Sequence, residues 1–197
     1  MLKTILRREA LQKRENYPAE ELARRSRRIC ELFFSSFSLE AVRLLHLFLP
    51  ISRQNELDTR FLIRRLWLKH PEVAIAVPVS DLDLTHMTHF LLRPNTVLAE
   101  NRWGIPEPVE AVEVPAEAVD LVLLPLLTFD LRGNRVGYGK GFYDRFLDQC
   151  RPDVLKVGLS LEPPVPLITD TNEFDVSLDA AVTPEEVYRF SGGKPVR

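Results

Sequence analysis

The first third of the chain carries apolar residues at helical spacing. Two stretches, residues 3–16 and 19–35, read as amphipathic helices. In the second, Leu22, Ser26, Ile29 and Phe33 follow at steps of four, three and four, which lays them along one face and leaves the arginines on the others. Pro18 suits the start of that helix, where a missing N–H costs nothing. From Ala41 the pattern changes. An apolar run continues to Leu49 and stops at Pro50, as expected of a strand buried on both faces. Asp58 and Thr59 are placed to cap a helix running to about Lys69. Val73–Val79, rich in valine and isoleucine, reads as a second buried strand, and the weak alternation over 84–92 as part of an antiparallel pair. Residues 93–119, with Pro94, Pro106, Pro108 and Pro115, read as loop. Leu121–Leu127 is the strongest central strand. A glycine-rich segment, a helix over Gly141–Cys150 and strands at Val154–Ser160 and Ala180–Val182 complete the order, with a frayed tail from Ser191 through Gly192 and Gly193. Strands alternating with helices predict an α/β sandwich around a mostly parallel sheet.

Composition adds limits. The chain has 197 residues, 45% hydrophobic and 27% charged, which excludes wholesale disorder and allows a core without disulfide or metal staples. Net charge is -2, yet residues 1–28 hold nine Lys/Arg against four Glu, so the two N-terminal helices are basic and the remainder acidic. No apolar run approaches a membrane span, and no stretch of signal-peptide length follows Lys3, Arg7 and Arg8, so a soluble, cytoplasmic protein is expected. Cys30 and Cys150 lack C-x-x-C spacing and predict neither zinc nor a disulfide framework. His86 and His89 have H-x-x-H spacing, but residues three apart on a strand point to opposite faces and no third ligand is near.

The chemistry concentrates in Gly133-Asn-Arg-Val-Gly-Tyr-Gly-Lys-Gly-Phe-Tyr-Asp144, which holds four of the eight glycines. It follows the best central strand and leads into a helix, the position where open α/β sheets bind ligands. Gly137, Gly139 and Gly141 let the backbone turn and present N–H groups to an anion, beside a helix N-terminus. Arg135 and Lys140 supply cations, Asp144 is placed to hold magnesium against phosphates, and Tyr138, Phe142 and Tyr143 offer ring faces to a heterocycle. The competing reading is a plain hairpin turning at Gly133-Asn134. The segment is not a P-loop, and Phe142 stands where G-x-G-x-x-G needs its third glycine.

Asp120-Leu-Val-Leu-Leu-Pro125, Phe129-Asp130 and Gly133-x-Arg-x-Gly-Tyr-Gly-x-Gly-x-Tyr-Asp144 resemble the signature of the 5-formyltetrahydrofolate cyclo-ligase family. Lys3-x-x-x-Arg7, Glu56-Leu-Asp-Thr59, Gly104-Ile-Pro-Glu-Pro108 and Asp175-Val-x-Leu-Asp179 fall in the family's order. The chain departs at Leu126, where glycine is usual, and at Phe142, where tyrosine is common. The resemblance implies one three-layer domain over residues 1–197 around a Rossmann-like sheet. It implies ATP-dependent closure of 5-formyltetrahydrofolate to 5,10-methenyltetrahydrofolate through phosphorylation of the formyl oxygen. By the same resemblance Lys3, Arg7, Arg135 and Gly137–Gly141 would meet ATP, with Lys140, Arg135 and Tyr143 at the reaction centre. Asp144 and Asp179 would ligate Mg2+. Glu56, Arg7, Met87, Trp103, Phe142 and Tyr143 would surround the folate. The expected partners are those two small molecules, with neither nucleic acid nor membrane, acting on a monomer. Two rival functions remain open at this level. A nucleic-acid-binding module would use Arg24, Arg25, Arg27 and Arg28, with Lys13 and Arg14; a sugar-phosphate isomerase would share the fold without ATP.

Overall fold

A computed structural model describes residues 1–81, 86–191 and 194–196. Its centre is an eight-stranded sheet. Five strands run parallel: β1 (Leu44–His46), β2 (Ala74–Asp81), β6 (Leu121–Pro125), β9 (Leu155–Leu159) and β10 (Ala180–Val182). Antiparallel strands flank them: β3 (His86–Leu91) beside β2, β11 (Val187–Ser191) beside β10, and β12 (Lys194–Val196) beside β11. The order is β12-β11-β10-β9-β6-β1-β2-β3. The expected mostly parallel α/β architecture is therefore borne out.

Helices cover both faces because the strands are apolar on both. Leu121, Val122, Leu123 and Leu124 of β6 are all fully buried. Leu121 and Leu123 join one cluster with Ile29 and Phe33 of α2 (Ala19–Ser36) and Leu62 and Leu66 of α3 (Arg60–Lys69). Val122 and Leu124 join the opposite cluster with Phe146 and Leu147 of α4 (Phe142–Gln149). Each such side chain contributes about 1.5–3 kcal/mol of burial. The predicted stripe on α2 faces the core as expected, and its one polar member is used: Ser26 accepts the Asp58 N–H at 3.0 Å, docking the start of α3.

Some boundaries differ from expectation. The run 41–49 forms only a three-residue strand; the Leu47 N–H still donates to the Ala76 carbonyl of β2 at 2.9 Å, and Phe48 and Leu49 continue as buried wall. Thr59 does not cap α3; its hydroxyl donates to the Phe48 carbonyl at 2.6 Å, while Asp58 accepts the Arg60 N–H at 3.0 Å. Within the proline-rich stretch, β4 (Leu98–Glu100) and β5 (Pro106–Pro108) make a small hairpin. The chain from Ser191 does not fray: Arg189 pairs with Val196 and Ser191 with Lys194, while Gly192 and Gly193 lie outside the described residues, as do positions 84 and 85 of the predicted strand. Leu126 is buried over Gly158, where an added Cβ would stand 2.4 Å from a Leu126 methyl. Leucine at 126 therefore works because residue 158 has no side chain.

The strand order sets the place for a ligand. β1 lies between β2 and β6, so the chain leaves it in opposite directions, and the crevice past the carboxyl ends of β1 and β6 is the topological switch point.

Candidate functional site

A cleft of about 900 Å³ opens at that switch point. Phe48, Leu49 and Glu56 reach it from beyond β1, Pro125 and the glycine loop from beyond β6, and Lys3 and Arg7 from α1 (Lys3–Glu15). The β4–β5 hairpin leans on β2, where the Ser80 N–H donates to Glu107 at 3.1 Å, and Trp103 and Ile105 from this hairpin line the cleft together with Met87. The connection from β9 to β10 contains no helix and passes the cleft with Asn172, Glu173, Phe174, Asp175 and Val176.

The glycine segment proves to be two structures. Its first half is the hairpin: β7 (Thr128–Phe129) pairs with β8 (Arg135–Val136). Asp130 organises the turn, accepting the N–H groups of Arg132 and Asn134, the Asn134 side-chain amide and, from the β9–β10 connection, the Ile168 N–H. The second half, Gly137–Gly141, is the open loop. Gly139 has φ +87° and an added Cβ would lie 2.9 Å from the Arg7 guanidinium, so both the backbone angle and the packing require glycine. Gly141 has φ +68° and begins α4. At Gly137 a Cβ would touch nothing within 4 Å, which leaves open space for a ligand. Arg7 holds this loop directly, donating from Nε to the Gly137 carbonyl at 2.8 Å.

Charged groups in the cleft are buried but incompletely partnered. Arg135 donates to Asp144 at 2.7 Å, while its other terminal nitrogen, Nη1, is buried without a partner. Burial pulls the guanidinium below its usual range, opposed by Asp144 and then by Asp175. The Tyr143 hydroxyl is likewise buried and unpartnered, and burial pushes it far above the ordinary phenol range. Glu56 accepts the Ile51 N–H at 3.0 Å and the Tyr138 O–H at 2.9 Å, and burial raises its carboxyl above the usual value. Lys140 is exposed at the mouth of the cleft.

Lys3, Arg7, Glu56, Met87, Trp103, Arg135, Gly137, Tyr138, Gly139, Lys140, Gly141, Phe142, Tyr143 and Asp144 all line this one cleft. Asp179 does not. It immediately precedes β10 and so sits at the amino ends of the parallel strands, where it accepts the Lys156 N–H at 2.8 Å and pairs with the Lys156 ammonium at 2.9 Å. The carboxylate that does share the cleft with Asp144 is Asp175, which is ion-paired to Lys3; the Val176 N–H donates to Asp144 at 3.1 Å. Arg14 was also missed. It is buried, donates to the Tyr138 hydroxyl at 2.6 Å, and stands seven residues after Arg7, two helical turns along the same face. That periodicity was the signal available for it.

The remaining candidates have structural explanations. Arg24 and Arg25 pair with Glu21, Arg28 pairs with Glu31, and Arg27 covers the Phe61 ring, which accounts for the basic run on α2. His86 is exposed while His89 is buried, on opposite faces of β3 as the spacing predicts. His89 instead meets the buried His46 at 3.1 Å, and burial holds both imidazoles neutral, His89 down to about 4. Cys30 and Cys150 are buried and distinct, with thiols pushed up to about 11. Among the described residues no group of three or more His, Cys, Asp or Glu side chains could hold a metal, and no helix is long and apolar enough to cross a membrane.

The sequence and the fold both match known proteins. Residues 2–184 match the model of the 5-formyltetrahydrofolate cyclo-ligase family. The Escherichia coli (strain K12) protein of that name is 33% identical over 145 residues, covering 71% of this chain and 78% of its own. The mouse protein of that name is 31% identical over 153 residues, covering 74% and 73%. The solved structure of Aquifex aeolicus 5,10-methenyltetrahydrofolate synthetase superposes with a TM-score of 0.81 at 30% identity, covering 100% of this chain and 97% of that one. With the match spanning nearly the whole sequence and the cleft built from the signature residues, the chain belongs to the 5-formyltetrahydrofolate cyclo-ligase family.

Proposed function

We propose that the protein converts 5-formyltetrahydrofolate and ATP to 5,10-methenyltetrahydrofolate, ADP and phosphate, with magnesium. The observation that carries this is the pair of buried, unpartnered polar groups in the cleft, Arg135 Nη1 and the Tyr143 hydroxyl. Unsatisfied buried donors are costly, and both residues line the cleft, beside a glycine loop with room for a phosphate.

A formyl amide resists attack because nitrogen donation deactivates its carbonyl. Transfer of the ATP γ-phosphoryl group to the formyl oxygen creates a leaving group, N10 attacks the activated carbon, and phosphate departs. Catalysis of such a transfer rests on positioning and on positive charge around the moving group. Arg7 braces the loop through Gly137 and Gly139, Lys140 and Arg135 Nη1 face the phosphoryl oxygens, and the Tyr143 hydroxyl donates to them. Lys3 orders Asp175. Met87, Trp103 and Phe142 wall the folate, and Glu56 accepts from its pterin ring. Four lone-pair sites on that carboxylate, two of them occupied by Ile51 and Tyr138, leave two for the ring.

Asp144 and Asp175 suit magnesium borne by a nucleotide. They are hard oxygen donors on one cleft, and magnesium takes one or two carboxylates with substrate phosphates in place of a full protein cage. When bound it would neutralise charge on the phosphates. Asp179, engaged with Lys156, has no part in this. Residues from Lys3 to Val176 of a single chain line the cleft, which fits the expected single domain acting as a monomer.

The test is spectrophotometric. Purified protein should generate methenyl absorbance from 5-formyltetrahydrofolate only with both ATP and magnesium present, with one ADP formed per product. Turnover without nucleotide would refute the proposal.

A further inference from the structure

Behind the cleft, a chain of hydrogen bonds joins α1 to the loop and the loop to Glu56. Arg14 Nη2 lies 2.6 Å from the Tyr138 oxygen, and that oxygen lies 2.9 Å from Glu56 Oε1. A guanidinium can only donate, so the Tyr138 oxygen accepts from Arg14 and its own proton points to Glu56. Glu56 Oε1 is thus an acceptor in this chain. The other carboxylate oxygen takes the Ile51 N–H. The α1 end of the chain is fixed as well: Asn55 donates to the carbonyls of Arg14 at 3.2 Å and Glu15 at 3.3 Å, so the segment carrying Glu56 is tied to the last turn of α1.

Tyr138 stands between the two glycines that Arg7 touches, Gly137 through its carbonyl and Gly139 by packing. Its ring lies under the Arg14 guanidinium, 5.4 Å from the centroid. One loop residue thus faces phosphates through its backbone neighbours and the ring-binding carboxylate through its hydroxyl.

We propose that Tyr138 couples the two substrate subsites: its hydroxyl holds the Glu56 carboxyl oriented when the glycine loop is in place, so that a nucleotide ordering the loop tightens binding of the folate ring. This rests on the function proposed above. Ligands that order one shared element favour each other, and the favour is reciprocal, so folate tightens nucleotide by the same factor. Tyr138 and Arg14 are positioning residues here.

The charge environment gives the sign of the pH effect. Glu56 faces Arg14 and Lys13 of α1, Tyr17 beyond it, Tyr138 and Tyr143 from the loop and α4, and Glu162 after β9. Burial raises its carboxyl, while the Ile51 N–H, Arg14 and the Tyr138 hydroxyl lower it. Removing the hydroxyl therefore moves protonation of Glu56 to higher pH, and the acid limb of folate binding moves with it.

Tyr138→Phe keeps the ring on Arg14 and removes only the hydroxyl. In the unaltered protein, a non-hydrolysable ATP analogue with magnesium should tighten calorimetric binding of 5-formyltetrahydrofolate about tenfold. In Tyr138→Phe that tightening should fall to about one, with affinity for the analogue alone held within about twofold. Carboxyl-carbon NMR of the free protein, with the Glu56 signal assigned by Glu56→Gln, should show its titration midpoint moving to higher pH in Tyr138→Phe. Arg14→Gln keeps a donor but no charge, and should raise the midpoint while leaving the coupling. Undiminished coupling in Tyr138→Phe, an unmoved Glu56 midpoint, or equal loss of coupling in Arg14→Gln would each overturn the proposal. Failure of the unaltered protein to bind 5-formyltetrahydrofolate would instead refute the function above; the carboxyl titration needs no ligand and tests the hydrogen-bond chain regardless.

Discussion

The two ends of the parallel strands carry the same residue types in opposite states. At the amino end, Asp120 accepts the N–H groups of Arg43 and Leu44 and the Arg151 guanidinium, which together hold its carboxyl below the usual range against the pull of desolvation. Asp179 accepts from both the backbone and the side chain of Lys156. These groups are satisfied within the fold, and they pin strand starts together. At the carboxyl end, Arg135 and Tyr143 each keep a buried polar atom without a partner, and Glu56 keeps lone pairs in hand. Both ends contain ion pairs, so the presence of an ion pair does not mark function. Incomplete satisfaction on the wall of a cleft does; His46 Nδ1, His89 Nε2 and the Tyr17 hydroxyl are also buried without partners but do not line the cleft.

Substitutions can break that contrast in order of expected effect. Asp144→Asn and Asp175→Asn should each lower turnover about a hundredfold or more, with melting temperature nearly unchanged, since asparagine keeps an acceptor but loses the charge; activity and thermal melts measured together decide it. If either retained normal turnover at low magnesium, its assignment would be wrong. Arg7→Ala should cost about 1–3 kcal/mol in kcat/KM, the worth of a charged hydrogen bond to the loop, whereas Arg8, exposed and about 100° around the helix, should cost less than about 0.5 kcal/mol. Equal losses at both positions would reduce α1 to diffuse positive charge.

The amino end should respond in stability alone. Asp120→Asn should lose about 1–2 kcal/mol by denaturant unfolding with kcat intact. Because this carboxyl is depressed in the folded protein, its contribution is present above the ordinary aspartate value near 3.9 and disappears as pH falls through the lower folded value; the variant's unfolding free energy should therefore vary less over that window. Asp179→Asn should have the smallest effect, below about 1 kcal/mol, as its side chain is partly exposed and the pair is screened. A large loss of turnover from Asp179→Asn would erase the distinction between the two ends.

What could be read from the sequence follows from how local the physics is. The α2 stripe and β10 were legible because periodicity and burial are properties of neighbouring residues. The run 41–49 was over-read because apolarity records burial and not pairing, and only Leu45 and His46 are paired with a strand on each side. The site residues on α1 and the glycine loop were legible through the motif they resemble. The choice between Asp175 and Asp179 was not, since both flank the same apolar stretch and differ only in which end of the sheet the connection has reached. Knowing that the residue before a parallel strand lies at its amino end would have favoured Asp175.

Asp130 has a mechanical consequence. With no solvent exposure and four donors on one carboxylate, it fastens the base of the β7–β8 hairpin to the β9–β10 connection at Ile168. The glycine loop is therefore a propped beam: it is clamped at its root by Asp130 and supported further along by Arg7 at Gly137 and by Arg14 at Tyr138. The connection that carries Asp175 is joined to the same clamp through Ile168. A ligand at the tip would thus meet a beam whose fixed end already belongs to the opposite wall.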